Sequence, residues 1–167
     1  MQTLTLGSGR SPVRDGTRVS VALLPATPVP GALPADWTVI PGPLVEGRVV
    51  DRVVVGPNGI FAVTVDPDRR PADLTPTGLE RGGSPVITPV QEALHTAFGL
   101  RRALARGGVD VFPYPLLLVA GAHGRLDRLL IAPPDRLAEA VWSHPGRPLR
   151  RSERTRALAV VQHPISA

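Results

Sequence analysis

The sequence predicts an α/β protein, a β-sheet with helices packed against it. Three observations carry this. Two β-rich runs meet at a Gly-Pro-Asn-Gly turn near the middle of the chain, a helix with clear start and stop signals follows, and strands then alternate with helices. At 167 residues a single domain is expected, long enough to bury a core.

Residues 1–36 are rich in proline, glycine and threonine and are expected to form an extra N-terminal segment packed on the domain, with strands at 2–6 and 18–24. The α/β domain is then 37–167. Trp37-Thr38-Val39-Ile40 reads as a short strand, closed by the turn-forming Pro41-Gly42-Pro43. Strands at 49–55 and 60–66 flank Gly56-Pro57-Asn58-Gly59, whose glycines and asparagine accept positive φ, so the two form a hairpin. Their apolar residues do not alternate with polar ones, the pattern of strands covered on both faces. Residues 73–81 add one or two short edge strands around Gly78.

The following helix has Thr88 as its expected N-cap, Pro89 at the first helical position and Gln91 closing a capping box. Val90, Leu94, Ala97, Phe98, Arg101 and Leu104 follow helical spacing, and Gly107-Gly108 stops the run. Residues 111–120 hold a buried strand around Leu116-Leu117-Leu118-Val119, with Pro113 and Pro115 confined to its start. A short strand at 129–132 comes next. Pro133-Pro134 opens a helix to about residue 142, and Ser152 with Glu153 opens a last one to about 162.

Composition removes several chemistries. All 19 basic residues are arginine, against 14 acidic ones, and the chain has neither lysine nor cysteine. Without cysteine there is no disulfide scaffold, thiolate zinc site or catalytic thiol. Without lysine there is no Schiff base, amine nucleophile or phosphate-loop lysine. No apolar run approaches the ~18 residues of a membrane span. The N-terminal apolar stretch is short and broken by Pro25, Pro28 and Pro30, so a cytoplasmic protein with no membrane partner is expected. The net charge of +5 fits both GC-rich codon usage and a selected anion-binding surface.

The hairpin also carries the candidate site. In simple register Val55 faces Ile60, which sets Asp51 opposite Thr64 with Cβ atoms ~5 Å apart. Asp66 projects from the same face as Thr64. A carboxylate among valine, isoleucine and phenylalanine costs desolvation unless something compensates it. For Asp51 the structural explanation is a hydrogen bond from Thr64 or an ion pair with Arg48 or Arg52.

The run Val50-Asp51-Arg52-Val53-Val54-Val55-Gly56-Pro57-Asn58-Gly59-Ile60-Phe61-Ala62-Val63 resembles the core of the nuclease-related domain (NERD) family. The resemblance extends more weakly over residues 37–132, through the strand at Trp37, the helix opening at Pro89 and Gln91, and the strands at 116–120 and 129–132. It implies a restriction-endonuclease-like PD-(D/E)XK fold, a central mixed sheet flanked by helices that cuts nucleic acid with magnesium or manganese. In that family two carboxylates of the hairpin hold the ion, which lowers the pKa of a bound water. A lysine two residues after the second carboxylate stabilises developing charge.

Asp51 matches the first carboxylate. Thr64 stands at the second carboxylate's position and Asp66 at the lysine's, while Arg52 replaces a residue that is usually histidine. The resemblance therefore implies a catalytically degenerate member acting as a DNA-binding or accessory module, with no cofactor. A rearranged metal site is the alternative. It would use Asp51 and Asp66 as ligands, Gln91 at the mouth, and Arg69 or Arg70 for the lysine's charge. A protein-interaction module without nucleic-acid contact is a third reading.

Among other candidates, His95 lies four residues after Gln91 and could face the same cleft, while His123, His144 and His163 match no metal spacing. Arg147, Arg150, Arg151, Arg154 and Arg156 form the densest basic run, and such guanidiniums bind phosphates. With Arg52, Arg69 and Arg70, the residues Arg150, Arg151 and Arg154 are the expected nucleic-acid contacts. No aromatic residue interleaves with the run, which argues against a single-strand stacking platform.

Overall fold

The computed structural model of the protein describes residues 33–163. The strands expected at 2–6 and 18–24 lie outside the described residues. The elements up to the long helix are β1 (Thr38–Pro41), β2 (Leu44–Val45), β3 (Arg48–Val49), β4 (Arg52–Gly56), β5 (Gly59–Val65), β6 (Asp73–Thr75), β7 (Gly78–Arg81), β8 (Ser84–Pro85) and α1 (Thr88–Arg106). After it come β9 (Tyr114–Leu118), β10 (Gly124–Leu126), β11 (Leu129–Ala132), α2 (Leu137–Ser143) and α3 (Arg151–Gln162).

The fold is α/β, built on a six-stranded mixed sheet in the order β1-β4-β5-β9-β11-β10. The hairpin register is the one its turn dictates, with Val55 opposite Ile60 and Arg52 opposite Val63. β5 then pairs in parallel with β9, because α1 carries the chain back across the sheet, and β9 pairs in parallel with β11, whose direction is set by the turn from antiparallel β10. Val53, Val55, Ile60 and Ala62 face Leu100 and Leu104 of α1 and Ala157 and Val161 of α3. Val54, Phe61 and Val63 face Leu137 and Val141 of α2 on the other side. That two-sided burial is why the hairpin strands are continuously apolar.

Close approach also sets the hairpin's end. A side chain at Gly56 would place its Cβ 2.1 Å from the Trp37 ring, so only glycine lets that indole lie on β4.

Several local expectations need correcting. The run at 49–55 is not one strand. Glu46 (φ +49) and Gly47 (φ +76) make a two-residue turn that folds β2 and β3 into a separate hairpin, leaving Val50 and Asp51 between β3 and β4. Residues 73–81 belong, with β8, to a three-stranded sheet of their own, and β10 was not foreseen. The capping box at Thr88 does not form. Ile87 is already in the α-helical region and is the N-cap, which puts Thr88 inside the helix with no side-chain cap bond.

The C-terminus of α1 behaves as the glycines predict. Gly108 (φ +73) donates to the Ala105 carbonyl and Val109 N–H to that of Leu104, a Schellman ending. The buried stripe is Ala93, Ala97, Leu100 and Leu104; Phe98 lies at its margin, 49% exposed, with its ring edge-on to Phe112. α3 begins one residue earlier than expected, where Glu153 accepts the Arg150 N–H at 2.8 Å.

Candidate functional site

Asp51 and Thr64 do meet. Both line a cleft of about 410 Å3, with Arg48, Val49 and Val50 on one wall and Glu92 and Thr96 of α1 on the other. Strand alternation sends Val53 and Val55 to the α1 face, and Asp51, just before β4, lines the cleft on that side together with Thr64 of β5. Arg52 points to the opposite face for the same reason.

The bond that compensates Asp51 is neither of those expected. Its Oδ2 accepts the Val65 backbone N–H at 2.7 Å. The β4 ladder ends at Arg52, so a side chain supplies the acceptor where the strand no longer does. Asp51 itself is exposed, whereas Thr64 is buried to 7% exposure. Gln91 is also exposed and does not line the cleft; α1 presents Glu92 and Thr96 there instead. Their spacing of four residues, beside buried Ala93 and Ala97, was a readable signal for this face.

Asp66 is held differently. Its carboxylate is 2% exposed and takes Arg81 Nη2 at 2.5 Å on Oδ2, while Oδ1 accepts the Asp68 N–H at 3.0 Å. Arg81 also donates from Nε to the Arg70 carbonyl at 3.0 Å and reaches Asp68 at 3.1 Å. This ion pair staples the loop after β5 to β7. The arginine beside the lysine's place is therefore Arg81, which comes from a different sheet and was not singled out in the sequence. Arg69 and Arg70 are exposed, and Arg70 is engaged with Asp68, whose carboxyl it holds well below the usual range through side-chain and then backbone hydrogen bonds.

These donors do not fit a divalent ion held as the resemblance implies. Magnesium selects anionic oxygens. Here the second carboxylate position is a buried hydroxyl, one Asp51 oxygen is occupied by a backbone N–H, and both Asp66 oxygens are engaged. Among the described residues no group of three or more His, Cys, Asp or Glu side chains is placed to hold a metal. His95 lines a neighbouring cleft with Glu46 and Arg102 rather than the Asp51 cleft.

The expected arginine contacts separate into two groups. Leu149 N–H bonds the Pro57 carbonyl at 2.7 Å and Arg147 N–H meets the Tyr114 hydroxyl at 3.3 Å, which fixes residues 147–151 at the turn end of the hairpin. Asp51 is at the open end, about 20 Å away for six strand residues. Arg150 and Arg151 are exposed there. Arg154 donates to the Asp36 carbonyl, Arg156 to that of Gly108 and Arg147 to that of Asp110, each at 3.2 Å. Three of the five arginines in the run thus bridge to backbone.

No helix among the described residues is long and apolar enough to cross a membrane. Comparison with family models, with curated proteins and with solved structures finds no match to the chain.

Proposed function

We propose that this chain is a divergent relative of the nuclease-related domain that has lost metal-dependent cleavage and contacts nucleic acid through its arginines. The observation that carries the reading is the Asp66–Arg81 pair. Where the family's motif places a lysine free to act on substrate, this chain has a buried carboxylate neutralised by a structural arginine. Thr64, buried and uncharged in the neighbouring position, supports the same loss. Of the arginines expected to contact nucleic acid, Arg150 and Arg151 at the turn end and Arg69 near Asp66 stay exposed and support this reading.

Duplex DNA binding measured against salt tests the binding half. Arg150→Gln with Arg151→Gln is expected to weaken binding and reduce the salt slope by about 2, one for each phosphate no longer neutralised. An unchanged slope would remove these residues from the interface. The catalytic half is tested by incubating labelled DNA with manganese. No cleavage is expected from the wild type, and cleavage abolished by Asp51→Ala would overturn the degenerate reading.

A further inference from the structure

Glu46 anchors an element that stands apart from the main sheet. Among the described residues β2 and β3 pair only with each other. Their two-residue turn puts Glu46 at φ +49, a position that suits asparagine, aspartate or glycine and strains a glutamate. The carboxylate offsets that strain. Its Oε2 accepts Arg102 Nε at 2.8 Å and also Arg102 Nη2, and its Oε1 accepts Arg106 Nη1 at 2.7 Å. Arg102 and Arg106 lie one turn apart on α1, so one carboxylate bridges both.

The same hairpin walls two adjoining clefts. One is the Asp51 cleft; the other, of about 320 Å3, lies between Glu46 and the α1 residues His95, Phe98 and Arg102. Arg48, Val50 and Thr96 line both. The outer face of the hairpin is unpacked, with Leu44 47% and Val49 73% exposed. Its stem is closed by Gly42 N–H to the Asp51 carbonyl at 3.0 Å and Val50 N–H to the Pro43 carbonyl at 2.9 Å. Fixed at its stem and seated on the core by Val45, which is buried with Ala97 and Leu100 of α1, the hairpin is tied at its tip to α1 by Glu46.

We propose that the β2–β3 hairpin is a lid on the Asp51 cleft, latched by Glu46 to Arg102 and Arg106 and released by polyvalent anions that compete for those arginines. Guanidiniums bind phosphate as they bind carboxylate, through paired N–H donors. Both side chains are more than half exposed and within an anion's reach. The latch rests on its own geometry; the nucleic-acid reading adds only that phosphodiesters are among the competing anions.

Hydrogen exchange of the backbone amides at 44–50, measured on the full chain by mass spectrometry, tests this. Inorganic pyrophosphate is expected to speed that exchange about threefold beyond sodium chloride of equal ionic strength, the range set by an exposed ion pair. Glu46→Gln should exchange fast in every buffer and respond to neither salt. Arg102→Gln with Arg106→Gln should do the same from the other side of the latch. Amides at 97–104 in α1 should stay unchanged throughout. Glu46→Gln exchanging like wild type, pyrophosphate acting no more strongly than chloride, or acceleration that extends into α1 would each overturn the lid. A pyrophosphate response in a chain that binds no DNA upholds the latch and removes only the nucleic-acid reading.

Discussion

At the turn end of the β4–β5 hairpin, Asn58 Nδ2 donates to the carbonyls of Val141 at 2.8 Å and His144 at 2.9 Å, tying the turn to the end of α2. At the open end, Asp51 and Thr64 face a cleft, and Asp66 two residues on is sealed under Arg81. Both ends bury polar groups, but with different partners. The turn end bonds the Asn58 amide nitrogen to neutral carbonyls and leaves its Oδ1 buried without a partner among the described residues, so no full charge is involved. The open end pairs full charges, which stay buried only while both partners remain. The open end is therefore the more sensitive to losing one partner, because a charge is stranded there, whereas the turn end loses only bonds between neutral groups.

The sharpest way to break this contrast is at Asp66. Asp66→Ala leaves Arg81 buried beside Asp68 alone and is expected to cost about 3 kcal/mol in urea unfolding. Asp66→Leu with Arg81→Met, which removes both charges, should recover most of that loss. A double variant as unstable as the single one would show that the pair does more than neutralise itself.

At the turn end, Asn58→Ala should cost less, about 1–2 kcal/mol, because the Val141 and His144 carbonyls lose a donor but no charge is stranded. A loss larger than that of Asp66→Ala would reverse the ranking of the two ends.

The smallest effect expected is a pH dependence at His144. Burial, and then the charge of Arg125, holds its imidazole below the ordinary value of 6.5, with the ring against Tyr114 and Phe61. A folded-state pKa lowered in this way means the unfolded chain binds the proton more readily. The contribution of His144 is therefore fully present above pH 6.5 and declines as pH falls through the folded value. Unfolding titrations should show this slope in wild type and lose it in His144→Phe. A slope that survives the substitution would assign it elsewhere.

The local features were legible because their causes lie within a few residues. The Gly-Pro-Asn-Gly turn and its flanking valines were enough for the hairpin register, and through it for the meeting of Asp51 with Thr64. Gly107-Gly108 predicted the ending of α1. Thr88 misled, because the cap depends on the backbone of Ile87, and that follows from how β8 delivers the chain to the helix. Arg81 was unreadable as the partner of Asp66. The two are fifteen residues apart, one in the loop after β5 and the other in the separate sheet at β7, so no spacing rule links them. Asn58 is a stronger case, with carbonyl partners more than eighty residues away.

By itself, the sequence determined the α/β class, the hairpin and its register, and the absence of lysine chemistry, because turns, periodicity and composition act locally or on the whole chain at once. Tertiary structure alone decided which charges are paired and which are free. It gave Arg81 to Asp66 and Glu46 to Arg102 and Arg106, since a long side chain bonds whatever group folding brings within about 3 Å.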